Sequence, residues 1–251
     1  MDDNTTNNPT EMTFVEPQFR SAAHGLQWLS DGFALFKKDA ANWVITLLVG
    51  FILAIVIGMI PVLGQLASLL TTYIWTGGLM MGCHAAAKGE SFEPKYLFAG
   101  FTGPYLMPLV VMSAVVSLVS TAVVFAVMGT AAMPLMMGEG GENLSETEVM
   151  AVLQASLLIM LVSLPLIMAT WFAPALVVVE NMAPLKAMKL SLMACLKNAM
   201  PFLLYGLVSL GLMVLCMFTL GLGLLVLMPV VYLSMYTGFR DIFYTTADHN
   251  Q

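Results

Sequence analysis

The chain reads as an all-α, polytopic membrane protein. The predicted architecture is six transmembrane helices, two amphipathic helices on the cytoplasmic face, and the layout of a parallel internal repeat. Three observations lead there. Hydrophobic residues make up 59% of the 251 and charged ones only 10%, against about 25% charged in an ordinary soluble domain. The apolar residues are also blocked: 43–83, 96–138, 149–179 and 198–239 hold no Asp, Glu, Lys, Arg or His. One crossing takes about 20 apolar residues, so the first and last blocks each read as a hairpin of two spans. Finally, with six spans every lysine and arginine falls on one side of the membrane.

Taken in order, residues 1–19 are polar and acidic, with no basic stretch ahead of an apolar core. They predict a disordered tail rather than a secretory signal. Residues 20–245 form one membrane domain, and 246–251 a short C-terminal tail. From Arg20 to Asp39, the residues Ala22, Leu26, Leu29, Phe33 and Phe36 recur at helical spacing, with His24, Gln27, Asp31 and Lys38 off that stripe. Trp28 reads as an interfacial ring. Such a helix suits either the bilayer surface or the cytoplasmic ends of the bundle.

The first span covers Trp43 to Met59, and Pro61 and Gly64 mark the turn after it. The second covers Gln65 to Cys83, where Gly78 and Gly82, four apart, offer a close-approach face to a neighbouring helix. A polar connection, 84–103, leads to the third span, Pro108 to Met128. Its Ser113, Ser117 and Thr121 form a hydroxylated stripe suited to helix packing. An acidic, glycine-rich loop follows, and Ser145 with Glu148 reads as a capping box. The helix from 146 to 179 is long enough to tilt or kink, with Pro165 and Pro174 as the breakers.

The layout then recurs. Leu185, Met188, Leu192 and Cys195 make a second stripe, with Lys186, Lys189 and Lys197 off it. Spans over 201–218 and 224–239 flank the turn Gly221-Leu222-Gly223. A shift of 159 residues pairs Lys38 with Lys197, Gly64 with Gly223 and Tyr73 with Tyr232. The shared layout carries the repeat more than these identities do.

The positive-inside rule sets orientation. Arg20, Lys37, Lys38, Lys88, Lys95, Lys186, Lys189, Lys197 and Arg240 gather on one side, and the glycine turns and acidic loop on the other. Both termini are therefore expected in the cytoplasm.

No ionisable residue lies within the six predicted spans, which removes the usual signature of proton relays and intramembrane catalysis. Nucleotide-binding, metalloprotease, nucleophile-elbow and CxxC motifs are also lacking. Neither a cofactor nor a nucleic-acid partner is expected. Met133, Met136 and Met137 hold thioethers a soft ion favours, but 22 methionines supply such clusters by chance. Cys83-His84 reads as an ordinary helix end, the acidic loop lacks Ca²⁺-ligand spacing, and the three cysteines read as small apolar fillers. Trp171, Glu180, Lys186, Lys189 and Lys197 gather where the fourth span meets the second amphipathic helix. Beyond an aromatic belt with cationic anchors, they form a candidate docking site for a protein partner or an anionic lipid headgroup.

Gly25-Leu26-Gln27-Trp28-Leu29, Trp171-Phe172-Ala173-Pro174-Ala175-Leu176-Val177, Ala187-Met188-Lys189-Leu190-Ser191, Lys197-Asn198 and the stretch from Tyr236 to Phe243 carry a resemblance. They look like a group of uncharacterised proteobacterial inner-membrane proteins. More distantly they are similar to YciC-like proteins and to the membrane domain attached to some glycerophosphodiester phosphodiesterases. The resemblance implies an inner-membrane location and no catalytic residue. The expected function is a non-catalytic scaffold, assembly or lipid-interacting protein, whose partners are membrane lipid, a protein, or a second copy. The alternative is a permease for an apolar or lipid-like small molecule, suggested by the duplicated units and the hydroxyl stripe.

Overall fold

The computed structural model describes residues 12–137 and 146–246. Apart from one two-stranded sheet, their regular elements are helices. Strand β1 (Met12–Phe14) is followed by α1 (His24–Phe36), α2 (Ala40–Gly58) and α3 (Leu63–Ala87). Two 3-10 helices, Pro94–Phe101 and Gly103–Tyr105, lead into α4 (Leu106–Met137). Then come α5 (Glu146–Trp171), α6 (Ala173–Glu180), α7 (Pro184–Lys197), α8 (Ala199–Phe218), α9 (Leu224–Phe243) and β2 (Tyr244–Thr246).

Four helical stretches are long and apolar enough to cross a membrane: Ala40–Gly58, Gly103–Val127, Val149–Glu180 and Ala199–Phe218. Their outer faces expose rows of large apolar side chains, including Phe51, Leu118, Phe125, Leu161, Leu207 and Phe218. A patch of that extent is untenable in water and suits hydrocarbon. Helices α3 and α9 are less apolar and bury chiefly their C-terminal halves. Helix α3 packs against α2, α4, α6 and α9, and α9 against α1, α2, α3 and α8. Glycine, serine and tyrosine there serve close packing rather than lipid contact.

The face that α1 buries differs from the expected stripe. Gly25, Trp28, Leu29, Gly32 and Phe36 are inside, whereas Leu26 and Phe33 are exposed. Glycine accounts for the difference. A Cβ on Gly25 would lie 2.2 Å from the Pro201 carbonyl oxygen, and one on Gly32 would lie 2.7 Å from the Ser234 nitrogen. The helix therefore rests backbone to backbone on α8 and α9, and a hydrophobicity pattern does not register that contact. Trp28, expected as an interfacial ring, is 2% exposed and packs on Phe202 and Tyr205. Helix α7 likewise buries its small side, Ala187, Met188, Ser191, Ala194 and Cys195, and exposes Leu185.

Three further expectations change. Residues 12–19, assigned to the tail, are held in place: β1 pairs antiparallel with β2, and the Val15 and Gln18 amides donate to the carbonyls of Phe243 and Ile242. The connection after α3 is not merely a solvent loop, since Phe92, Leu97 and Gly100 are buried and Phe92 stacks on Trp43 at 3.8 Å. The helix predicted over 146–179 breaks at Phe172, two residues before Pro174, while Pro165 sits within continuous helix. The Ser145 capping box, the tail up to residue 11 and the acidic loop from Gly138 lie outside the described residues.

The two units share their order of elements and a turn detail. Gly64 and Gly223 each pack against the residue seven positions earlier, Ile57 and Cys216. Their first helices dock differently, however: α1 sits on α8 and α9, whereas α7 sits chiefly on α5 and α6.

Gly25→Ala drives a methyl into the Pro201 carbonyl. It should cost about 1–3 kcal/mol and lower the unfolding midpoint in detergent. Gly206→Ala, with open space around it, should leave the midpoint unchanged or raise it.

Candidate functional site

Polar side chains concentrate where the C-terminal turn of α9 meets the N-terminal segment. Asp241 occupies the last turn of α9, where the helix dipole presents its negative end. A carboxylate there needs donors, and three residues provide them. The Arg20 Nε lies 2.9 Å from Oδ1, the Trp28 indole donates to Oδ2 at 2.8 Å, and His24 Nδ1 lies 2.8 Å from the same Oδ2. The Arg20 guanidinium also donates to the Asp241 carbonyl, one of the orphan acceptors of a helix end.

The same segment is tied to the start of α8. Buried Asn198 accepts from the Arg20 amide at 2.7 Å and donates to the Gln18 carbonyl at 2.9 Å, while the Lys197 ammonium donates to the Pro17 carbonyl at 2.7 Å. On the far side of α9, the Tyr244 hydroxyl donates to Glu180, and His84 Nδ1 lies 2.6 Å from the Tyr236 hydroxyl. Burial, then the hydrogen bond to Glu180, push the Tyr244 phenol well above its ordinary value. Between these groups a cleft of about 630 Å³ opens, whose walls include Arg20, Asp31, Lys38, Arg240, Asp241 and Tyr244.

The expected docking residues do not converge. Trp171 is half-buried and packs edge-on against Phe202 and Tyr205. Glu180 is engaged by Tyr244, and Lys197 by Pro17. Lys186 and Lys189 are exposed on α7. What α7 does at this junction is structural. The Ser191 hydroxyl accepts from the Phe172 amide at 2.9 Å and donates to the Met168 carbonyl at 2.8 Å. It thereby replaces the i to i−4 bond lost where α5 ends and α6 begins. Cys195 adds a thiol contact to the same carbonyl at 3.4 Å. Burial pushes that thiol up to about 12, which leaves it no nucleophile at neutral pH.

The expected packing residues touch elements of the same chain. A Cβ on Gly78 would meet the Tyr96 carbonyl oxygen at 2.4 Å, and one on Gly82 would meet the Phe92 ring at 2.4 Å. Their close neighbour is thus the segment after α3 rather than a membrane span. Ser113 is buried on α3 beside the Tyr73 amide, and Ser117 donates to the Leu69 carbonyl at 3.2 Å. Thr121 is exposed. The Met133, Met136 and Met137 side chains lie outside the described residues. Among the described residues, no group of three His, Cys, Asp or Glu converges as metal ligands. Cys83 is buried beside His84, whose ring turns to Tyr236.

Sequence reading missed Asp241 and its donors. One signal was available, an acid in the last turn of a helix with Arg20, His24 and Trp28 spaced four apart upstream.

A relative from Burkholderia thailandensis, named a probable inner membrane protein, is 31% identical over 250 residues, covering 89% of this chain and 92% of the relative. The chain belongs to this inner-membrane protein family. With its apolar helices, it is an integral protein of the bacterial inner membrane. No family model matches the chain, and the more distant resemblance to YciC-like proteins and to the phosphodiesterase membrane domain gains no support. No solved structure matches it either.

Two outcomes follow. Ser191→Ala leaves the Phe172 amide and Met168 carbonyl unpaired and should cost about 1–3 kcal/mol, read as a lower unfolding midpoint. The Tyr244 phenol contributes stability that is present below its ordinary value of 10.0 and lost as pH rises through its higher folded value. In an ultraviolet difference titration against Tyr244→Phe, its phenolate should therefore form only above pH 10.0.

Proposed function

We propose that this is a six-span inner-membrane protein with both termini in the cytoplasm, which acts without catalysis as a lipid-interacting scaffold. The spans are α2, α3, α4, α5 with α6, α8 and α9. Helix α9, with 20 residues, is about 30 Å long at the standard rise, enough for the hydrocarbon core.

One observation carries the reading. Segments that the charge rule assigns to one side of the membrane are joined to each other. The Arg20–Asp241 pair, the Lys197–Pro17 bond, the Asn198–Gln18 bond and the Tyr244–Glu180 bond link residues from 12–20, 180, 197–198 and 241–246. Asp39, just before α2, accepts from the Phe92 amide at 2.9 Å. Arg20 and Lys197 thus belong to one knitted platform, and with the other basic residues on the same side, as the charge rule has them, it would attract anionic leaflet lipid. A permease remains the second reading, favoured by the shared turn detail of the two units. Against it, the Ser113 and Ser117 hydroxyls are turned to α3 rather than to a path.

Single cysteines give the topology test. Placed at Lys186 or Lys38, they should resist a membrane-impermeant reagent added outside spheroplasts, and one at Leu220 should react; labelling at Lys186 overturns the topology. For the function, added phospholipid should raise the unfolding midpoint of delipidated protein, as any ligand of the folded state does. A midpoint indifferent to lipid, with solute flux in reconstituted vesicles, would favour the permease.

A further inference from the structure

We propose that the cleft beside α1 binds the headgroup of a zwitterionic aminophospholipid. The phosphate sits between Lys38 and Arg240, and the primary ammonium on Asp31. This rests on the lipid-interacting reading and names the lipid.

The cleft, about 630 Å³, is walled on one side by Asp31, Leu35 and Lys38 and on the other by Thr237, Arg240 and Tyr244. Asp31, Leu35 and Lys38 follow helical spacing, so one side of α1 and the turn after it face the opening. Its charges divide into two sets. Arg20 and Asp241, which also line it, satisfy each other at 2.9 Å and cancel. Lys38, Arg240 and Asp31 have no ion-pair partner among the described residues. Among the described residues, the one hydrogen bond of the Arg240 guanidinium is to the Met12 sulfur, a weak acceptor.

Two uncompensated cations and one uncompensated carboxylate around a single opening call for a ligand carrying both signs. A phosphodiester next to a primary amine meets that requirement. The guanidinium and the ammonium donate to phosphate oxygens, and the N–H groups of the ligand's amine donate to the carboxylate. An anionic headgroup without an amine would leave Asp31 facing a phosphate. A choline headgroup has no N–H to offer it. The position suits a lipid headgroup, since the cleft lies at the C-terminal end of α9, one of the proposed spans.

The test is native mass spectrometry of the full chain in mild detergent. Phosphatidylethanolamine, phosphatidylglycerol and phosphatidylcholine of matched acyl chains are added in equal amounts. Retention is read as ratios within one sample, so a partly unfolded variant does not distort it. Wild type should retain phosphatidylethanolamine over phosphatidylcholine by about tenfold. Asp31→Asn should erase that preference, and Arg240→Gln and Lys38→Gln should lower retention of every phospholipid. Lys186→Gln, on exposed α7 away from the cleft, should leave the phosphatidylethanolamine-to-phosphatidylcholine ratio unchanged. Equal retention of the three lipids by wild type, or an unchanged ratio in Asp31→Asn, overturns the site and leaves the broader lipid-interacting reading intact. A wild type that retains no lipid overturns both. Soluble O-phosphoethanolamine binding as tightly as the lipid would mark a free phosphate ester as the ligand and overturn the lipid assignment.

Discussion

A carboxylate in the last turn of a helix faces the negative end of that helix's dipole, and the rest of this structure is arranged around supplying Asp241 with donors. Arg20, His24 and Trp28 do so from one stretch of chain. Their engagement lays α1 against α9 and brings β1 beside β2. It also holds Arg20 where its amide meets Asn198. One acidic side chain thereby links both ends of the chain to the start of α8. The cleft exists because these elements converge without filling the space between them.

Below that platform, cohesion comes from close approach. Lipid tails are as apolar as leucine, so hydrophobicity alone drives little association between spans. This chain uses glycine and serine instead. Gly25 and Gly32 admit α1 to the backbone of α8 and α9, Gly78 and Gly100 interlock α3 with the segment after it, and Ser113 and Ser117 face α3. Ser191 is the most specific case. Proline at 174 cannot donate a backbone hydrogen bond, the helix opens at Phe172, and a hydroxyl from α7 fills the gap.

The apolar blocks were legible as helices because their length and lack of charge leave few alternatives: four of the six predicted spans lie within single helices, the first overruns α2 at Met59, and the fourth is divided at Phe172. The helix ends ran longer than expected, as at Ala87 and Phe243, because Ala85, Ala86, Ile242 and Phe243 continue the buried face past the polar positions. Stripes at helical spacing caught only part of the inner faces of α1 and α7, since glycine on α1 and alanine on α7 complete them. The expected docking residues are near in sequence, and tertiary contacts take them apart. Trp171 went to the α8 rings, Glu180 to Tyr244 and Lys197 to Pro17. Asp241 escaped notice because its partners lie more than two hundred residues upstream.

A double-mutant cycle on Arg20 and Asp241 tests the central claim most directly. Arg20→Gln, Asp241→Asn and the double variant are compared by unfolding in detergent. If Asp241 organises the platform through Arg20, the double variant loses less stability than the two single losses added together, with a coupling of about 0.5–3 kcal/mol. Strict additivity, as for residues that do not meet, would contradict the account.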